Sequence, residues 1–125
     1  MRFLEVHLEV DNLERSVELY SKIIPHKRIK HWSNGTAVAL ILNDDSAFGL
    51  WVSGTLGVHN GRGGVHVHFA FQIKHEEYES YKTTIVDAGL IPLEHTWPDG
   101  NKSIYFFDYD GHQGEFMTKD WSKEF

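Results

Sequence analysis

Two histidines, His66 and His68, stand one residue apart in a run that reads as extended chain. On a pleated strand the side chains at i and i+2 share a face, so both imidazoles can reach one divalent ion. Glu5 and His7 form the same kind of pair near the start of the chain. Glu115 closes the run DYDGHQGE, in which a tight turn at Asp110-Gly111 leads into a last extended segment and delivers a carboxylate towards the same wall. One strand-borne histidine with two strand-borne carboxylates is a hard-to-borderline donor set, suited to Mn²⁺, Fe²⁺, Ni²⁺ or Zn²⁺. The chain has no cysteine, which leaves any such ion to nitrogen and oxygen ligands. A His-x-His pair on a solvated strand face is also commonly inert, and a single strand Glu is commonly just exposed, so position has to decide.

The elements that would set those positions can be read from periodicity. From Leu4 to Val10 apolar and polar residues alternate, with Glu5, His7 and Glu9 on the polar face, which predicts a half-buried strand. Asp11 or Asn12 can cap a helix whose stripe is Leu13, Val17, Tyr20 and Ile24, stopped by Pro25. Arg28 to Trp32 and Thr36 to Leu42 make a hairpin on Ser33-Asn34-Gly35, and a turn at Asn43 to Ser46 leads to a strand at Phe48 to Val52. Gly54 to Gly64 holds five of the eleven glycines and has no periodicity, so it reads as a linker. The series then restarts. Val65 to Ile73 alternates, Glu76 to Ala88 is a helix with the stripe Tyr78, Tyr81, Ile85 and Ala88, and Gly89 is placed to cap it. Pro98-Asp99-Gly100 and Asp108 to Gly111 are turns, and Glu115 to Thr118 is the last strand.

Each half therefore reads strand, helix, strand, strand, strand, a duplicated βαβββ unit. The expected fold class is α+β: two tandem units, residues 1–53 and 65–125, forming a curved mixed sheet around a groove, with helices on the outer face. An offset of 65 residues sets turn on turn, whereas at the first strand an offset of 63 sets Glu5-Val6-His7-Leu8 on His68-Phe69-Ala70-Phe71. With the offset of 65, Glu115 falls on Leu50.

Composition narrows the function classes. The chain has 125 residues, 41% of them hydrophobic and 14% aromatic, enough for one packed domain of ordinary size and too apolar for a disordered chain. With 12 Lys and Arg against 18 Asp and Glu, the net charge of -6 disfavours a nucleic-acid partner. Residues 1–10 carry Arg2, Glu5 and Glu9 and do not resemble a secretory leader, and no run reaches the ~18 apolar residues of a membrane span. The expectation is a cytoplasmic protein with no membrane partner.

The pattern resembles the vicinal oxygen chelate superfamily, the glyoxalase, bleomycin-resistance and extradiol-dioxygenase group. The resemblance lies in VDNLERSVELY from Val10 to Tyr20, in His68-Phe69-Ala70-Phe71 through Ala88-Gly89, and in Phe106 to Glu115, where Tyr109 replaces the usual Pro. It covers nearly the whole chain and is specific for the fold rather than for one reaction. It implies metal ligands on the first strand of each unit and on the last strand, which are Glu5, His68 and Glu115 here. Glu5 stands where many members have His or Gln, and Leu50 cannot bind a metal, which disfavours a four-ligand site. A narrower likeness to fosfomycin-resistance transferases runs through Ser103, Tyr105, Phe106, Asp108, Asp110, Gly111, His112 and Glu115. Two departures from it are His7, where those enzymes tend to carry a hydroxyl, and a tail from Lys119 to Phe125 without their arginine.

Three readings follow from the resemblance. In the first, the protein is a metal-dependent lyase, isomerase or dioxygenase using Zn, Ni, Mn or Fe and no organic cofactor. Its substrate is a small molecule that chelates the ion through vicinal oxygens. Glu115 is a ligand, Glu115 or Glu5 shuttles a proton when displaced from the ion, and His7, His66, Trp51 and Tyr105 face the substrate. In the second, the groove binds an apolar small molecule or drug without metal, between walls drawn from Trp32, Trp51, Trp97, Tyr105 and Phe107. In the third, the protein is a dimeric scaffold without small-molecule chemistry. A homodimer is expected in each case, with units paired within one chain or between two.

Overall fold

In the computed structural model, residues 1–52 and 68–123 are described, the side chains of residues 32 and 33 excepted. The chain divides into two compact units, Met1–Arg62 and Gly63–Phe125.

The first unit contains β1 (Glu5–Val10), α1 (Leu13–Ile23), β2 (Arg28–Trp32), β3 (Ala37–Ile41) and β4 (Ala47–Val52), in the sheet order β1-β4-β3-β2. β1 runs parallel to β4, and the other pairs are antiparallel. Asn12 caps α1, its Oδ1 accepting from the Arg15 N–H at 3.0 Å. The helix buries Ser16, Leu19, Tyr20 and Ile23, so its inner stripe is rolled from the expected one; Leu13 and Val17 are only half-buried. A small serine at the contact lets the helix approach the sheet there. The Tyr20 and Phe48 rings lie 4.7 Å apart between helix and sheet, which assigns Phe48, Leu50 and Val52 to the helix-facing side of β4. The Asn34-Gly35 turn is made of two left-handed residues, φ 55° and 84°.

The second unit repeats the plan with β5 (His68–Gln72), α2 (Tyr78–Asp87), β6 (Leu93–Thr96), β7 (Lys102–Phe107) and β8 (Gln113–Met117), in the order β5-β8-β7-β6. β5 and β8 are parallel. The expected helix at Glu76 begins with a tight turn over His75–Glu77, where the Glu77 carboxylate accepts the Lys74 N–H, and the α-helix proper starts at Tyr78. Its far end is a Schellman cap. Gly89 (φ 85°) donates to the Val86 carbonyl and Leu90 to that of Ile85. Tyr78 and Ile85 are buried as expected, and Tyr81 packs on Phe116 at 4.6 Å between ring centroids. Ile104, Phe106 and Phe116 complete the core of this unit. The last strand begins two residues earlier than expected, at Gln113.

The architecture is thus α+β, two βαβββ units, each with its own four-stranded mixed sheet. The expected linker from Gly54 to Gly64 lies outside the described residues. No helix among the described residues is long and apolar enough to cross a membrane.

Strand register corrects one expectation. In the first unit the β1 and β4 partners are Glu5 with Ala47, His7 with Gly49 and Glu9 with Trp51. In the second the β5 and β8 partners are His68 with Gln113, Ala70 with Glu115 and Gln72 with Met117. With Glu5 matched to His68, the residue that corresponds to Glu115 is Gly49, not Leu50. The preceding turns agree: Asp45 donates to Leu42 as Gly111 does to Asp108, and both Asp45 and Gly111 have positive φ. Aligning the turns by residue type was one residue short, and on a strand one residue exchanges the faces. Leu50 is fully buried on the helix side.

Candidate functional site

Each unit presents its polar residues on the sheet face turned away from its helix. In the second unit that face carries His68 on β5, Glu115 on β8, and Ser103 and Tyr105 on β7, where Tyr105 is the cross-strand partner of Glu115. His68 Nε2 lies 3.3 Å from Glu115 Oε1. The Glu115 side chain is only 4% exposed, yet its Oε2 is buried and finds no hydrogen-bond partner among the described residues. Buried carboxylate oxygens are nearly always satisfied, because leaving one bare costs about 1–3 kcal/mol or more. A bare oxygen beside an imidazole is what a cation-binding pair has before the cation arrives. Burial, and then the Glu115 carboxylate beside it, push the Tyr105 hydroxyl up from its ordinary value. Tyr105 is therefore a protonated donor at neutral pH.

In the first unit the corresponding face carries Glu5, His7, Gly49 and Trp51. His7 Nε2 lies 2.9 Å from Glu5 Oε2, and Trp51 Nε1 donates to His7 Nδ1 at 2.5 Å. Both ring nitrogens of His7 thus engage neighbours within the unit, Glu5 at Nε2 and Trp51 at Nδ1. His66 lies outside the described residues.

The sizes of the paired residues are exchanged between the units: small Ala70 faces large Glu115, whereas large His7 faces Gly49. A Cβ on Gly49 would lie 2.5 Å from His7 Nδ1 and 2.8 Å from its Cε1, so only glycine leaves room for the ring. Sequence reading passed over Gly49. An isolated glycine inside a strand is the signal that could have found it, since such glycines mark close approach.

Asp108, Asp110 and His112 offer a second group of ligand atoms, all within 4.8 Å of one another. Asp108 is already engaged there. Its Oδ1 accepts from the N–H groups of Asp110 and His112, and its Oδ2 lies 2.8 Å from His112 Nδ1, so the group serves the β7–β8 turn. The hydrogen bond and charge of Asp108 hold the His112 imidazole above its ordinary value, against burial. The pair therefore stabilises the fold fully below the unfolded-state value of about 6.5, and the contribution is lost as pH rises through the higher folded-state value. Urea unfolding across that range should show a stability loss in the parent protein that His112→Gln lacks. An identical pH slope in both would remove the pair from the account.

No family model matches the chain. It is 29% identical over 114 residues to the metallothiol transferase FosB of Lysinibacillus sphaericus strain C3-41, covering 87% of this chain and 76% of that protein. The fosfomycin resistance protein FosX of Listeria monocytogenes superposes with a TM-score of 0.77 at 20% identity, covering 100% of this chain and 98% of that one. The lactoylglutathione lyase of Agrobacterium tumefaciens superposes with a TM-score of 0.71 at 19% identity, covering 93% and 92%. These likenesses agree with the fold that the repeat and the motifs predicted.

Proposed function

The chain has the fold of the vicinal oxygen chelate superfamily, and on that premise we propose that it is a divalent-metal-dependent enzyme acting on a small substrate with two adjacent oxygens. The observation that carries this reading is the bare, buried Oε2 of Glu115 beside the His68 imidazole. The donor set fits the group: imidazole and carboxylate on adjacent parallel strands suit Mn²⁺, Fe²⁺, Ni²⁺ or Zn²⁺. His68 and Glu115 would be two of the ligands. Glu5, at the β1 position that corresponds to His68, is proposed as the third. The ion, when bound, supplies Lewis acidity towards substrate oxygens.

The other steps fall to the chain's own side chains. Tyr105, kept protonated, donates a hydrogen bond at the face that carries Glu115 and can stabilise negative charge that develops on a substrate oxygen. Glu115 or Glu5, when displaced from the ion, would accept and return a proton.

A second reading is favoured by the match to FosB and by the FosX likeness. A point mutant of the Listeria protein has a solved complex with Mn(II) and 1S,2S-dihydroxypropylphosphonic acid. In that reading the substrate is a phosphonate epoxide such as fosfomycin, opened by water or a thiol. One experiment tests the proposal and separates the readings. The protein is freed of metal and titrated with Mn²⁺ under EPR. The loaded form is then offered fosfomycin with and without thiol, read by ³¹P NMR, and the hemithioacetal of methylglyoxal and glutathione, read by absorbance. Mn²⁺ binding that is lost in His68→Ala is expected. Failure of Mn²⁺, Ni²⁺ and Zn²⁺ alike to bind would overturn the metal reading.

A further inference from the structure

We propose that His7 is a positioning residue that orients the Glu5 carboxylate, in a slot that Gly49 opens and Trp51 closes. The inference rests on the reading of Glu5 as a ligand and adds how this chain makes that carboxylate usable. Glu5 begins β1, an edge strand of its sheet, and its side chain is half exposed. A free glutamate there would lose several rotamers on binding an ion, which weakens affinity. The imidazole removes that freedom beforehand. Because the Trp51 N–H points at Nδ1, that nitrogen accepts, and the ring proton lies on Nε2, directed at Glu5 Oε2. Histidines and carboxylates that are not themselves ligands commonly orient metal ligands through such bonds.

The slot is sterically specific. The three atoms nearest a Cβ on Gly49 all belong to His7, the closest at 2.5 Å. Gly49→Ala must therefore push the ring off Glu5, whereas with the ring removed the same Cβ loses the three neighbours that crowd it. The second unit has no counterpart, since Ala70 stands where His7 does and Glu115 reaches the face directly.

The test is Mn²⁺ affinity by EPR on the full-length protein, with a second readout independent of metal. His7→Ala and Gly49→Ala are each expected to weaken binding about tenfold. The double variant should be no weaker than His7→Ala. His7→Gln, whose amide can accept from Trp51 and donate to Glu5, should restore near-parent affinity, a rescue that a merely structural role would not show. In the metal-free protein, long-range ¹H–¹⁵N spectra should place the His7 proton on Nε2. A proton on Nδ1, or parent affinity in His7→Ala alongside weakened binding in Glu5→Ala, would overturn the His7 proposal alone. Parent affinity in Glu5→Ala, with binding lost in Glu115→Ala, would overturn the Glu5 assignment and the His7 proposal with it. Should Gly49→Ala fail to fold, the comparison of His7→Ala with His7→Gln still decides.

Discussion

Glu115→Gln is expected to make the metal-free protein more stable and unable to hold a metal. The glutamate side chain is 4% exposed and leaves Oε2 without a partner among the described residues, so the folded chain carries a buried negative charge that its own side chains compensate only in part. An isosteric amide keeps the volume, removes the charge and retains groups for His68 and Tyr105. Removing a buried charge that is only partly compensated is worth about 1 kcal/mol or somewhat more, which for a chain of this size raises Tm by about 3–5 °C. Loss of a ligand should weaken Mn²⁺ binding by more than about 100-fold, beyond what loss of a residue that only orients a ligand costs. Calorimetry in chelator, and again with saturating Mn²⁺, reads both effects. The parent protein should gain Tm with the ion and the variant should not. A variant that melts lower than the parent and still responds to Mn²⁺ would show that the carboxylate is structural. This opposition of stability and binding is the pattern of functional sites, which hold groups that the fold alone would reject.

Gly114→Ala is expected to be strongly destabilising. A Cβ there would lie 2.2 Å from Phe106 Cζ and 2.7 Å from both Cε atoms. Phe106 is fully buried, with the Phe69 and Phe116 rings 6.2 and 5.8 Å from its own, so it has no free direction in which to move. Overpacking of this kind costs about 3 kcal/mol, or roughly 10 °C in Tm. Phe106→Leu in the same chain should recover part of that loss, although alone it destabilises. The two sites are neighbours, so their effects should be strongly non-additive in chemical denaturation. Strict additivity would mean that the ring is not what the methyl meets. The contrast with Gly49 is instructive. There the obstructing group is a half-buried imidazole that can swing outward, so the same substitution should weaken metal binding far more than stability.

Much of the fold was legible in the residues themselves. Alternation in residues 4–10 and 65–73, the Asn12 cap, the Gly89 C-cap and the Asn34-Gly35, Gly100 and Gly111 turns are local signals, and each is realised where described. Their repetition made the βαβββ duplication visible without any long-range information. The chemistry of His68 and Glu115 was legible for the same reason: residue type and strand parity are local properties.

What remained was register. Whether Leu50 or Gly49 answers Glu115 depends on how β4 hydrogen-bonds to β1 and β3, and those strands are separated by a helix and two turns whose lengths differ between the units by one or two residues. No local pattern reports a slip of one residue, yet with a side-chain period of two that slip moves a residue from the core to the opposite face. The proximity of His68 to Glu115 and of Trp51 to His7, and the bare Oε2, likewise arise from parallel pairing of strands some forty residues apart. The sequence by itself determined the units, their order and the donor types; tertiary pairing decided which side chains share a face, which glycine leaves room for a ring, and which carboxylate oxygen is left bare.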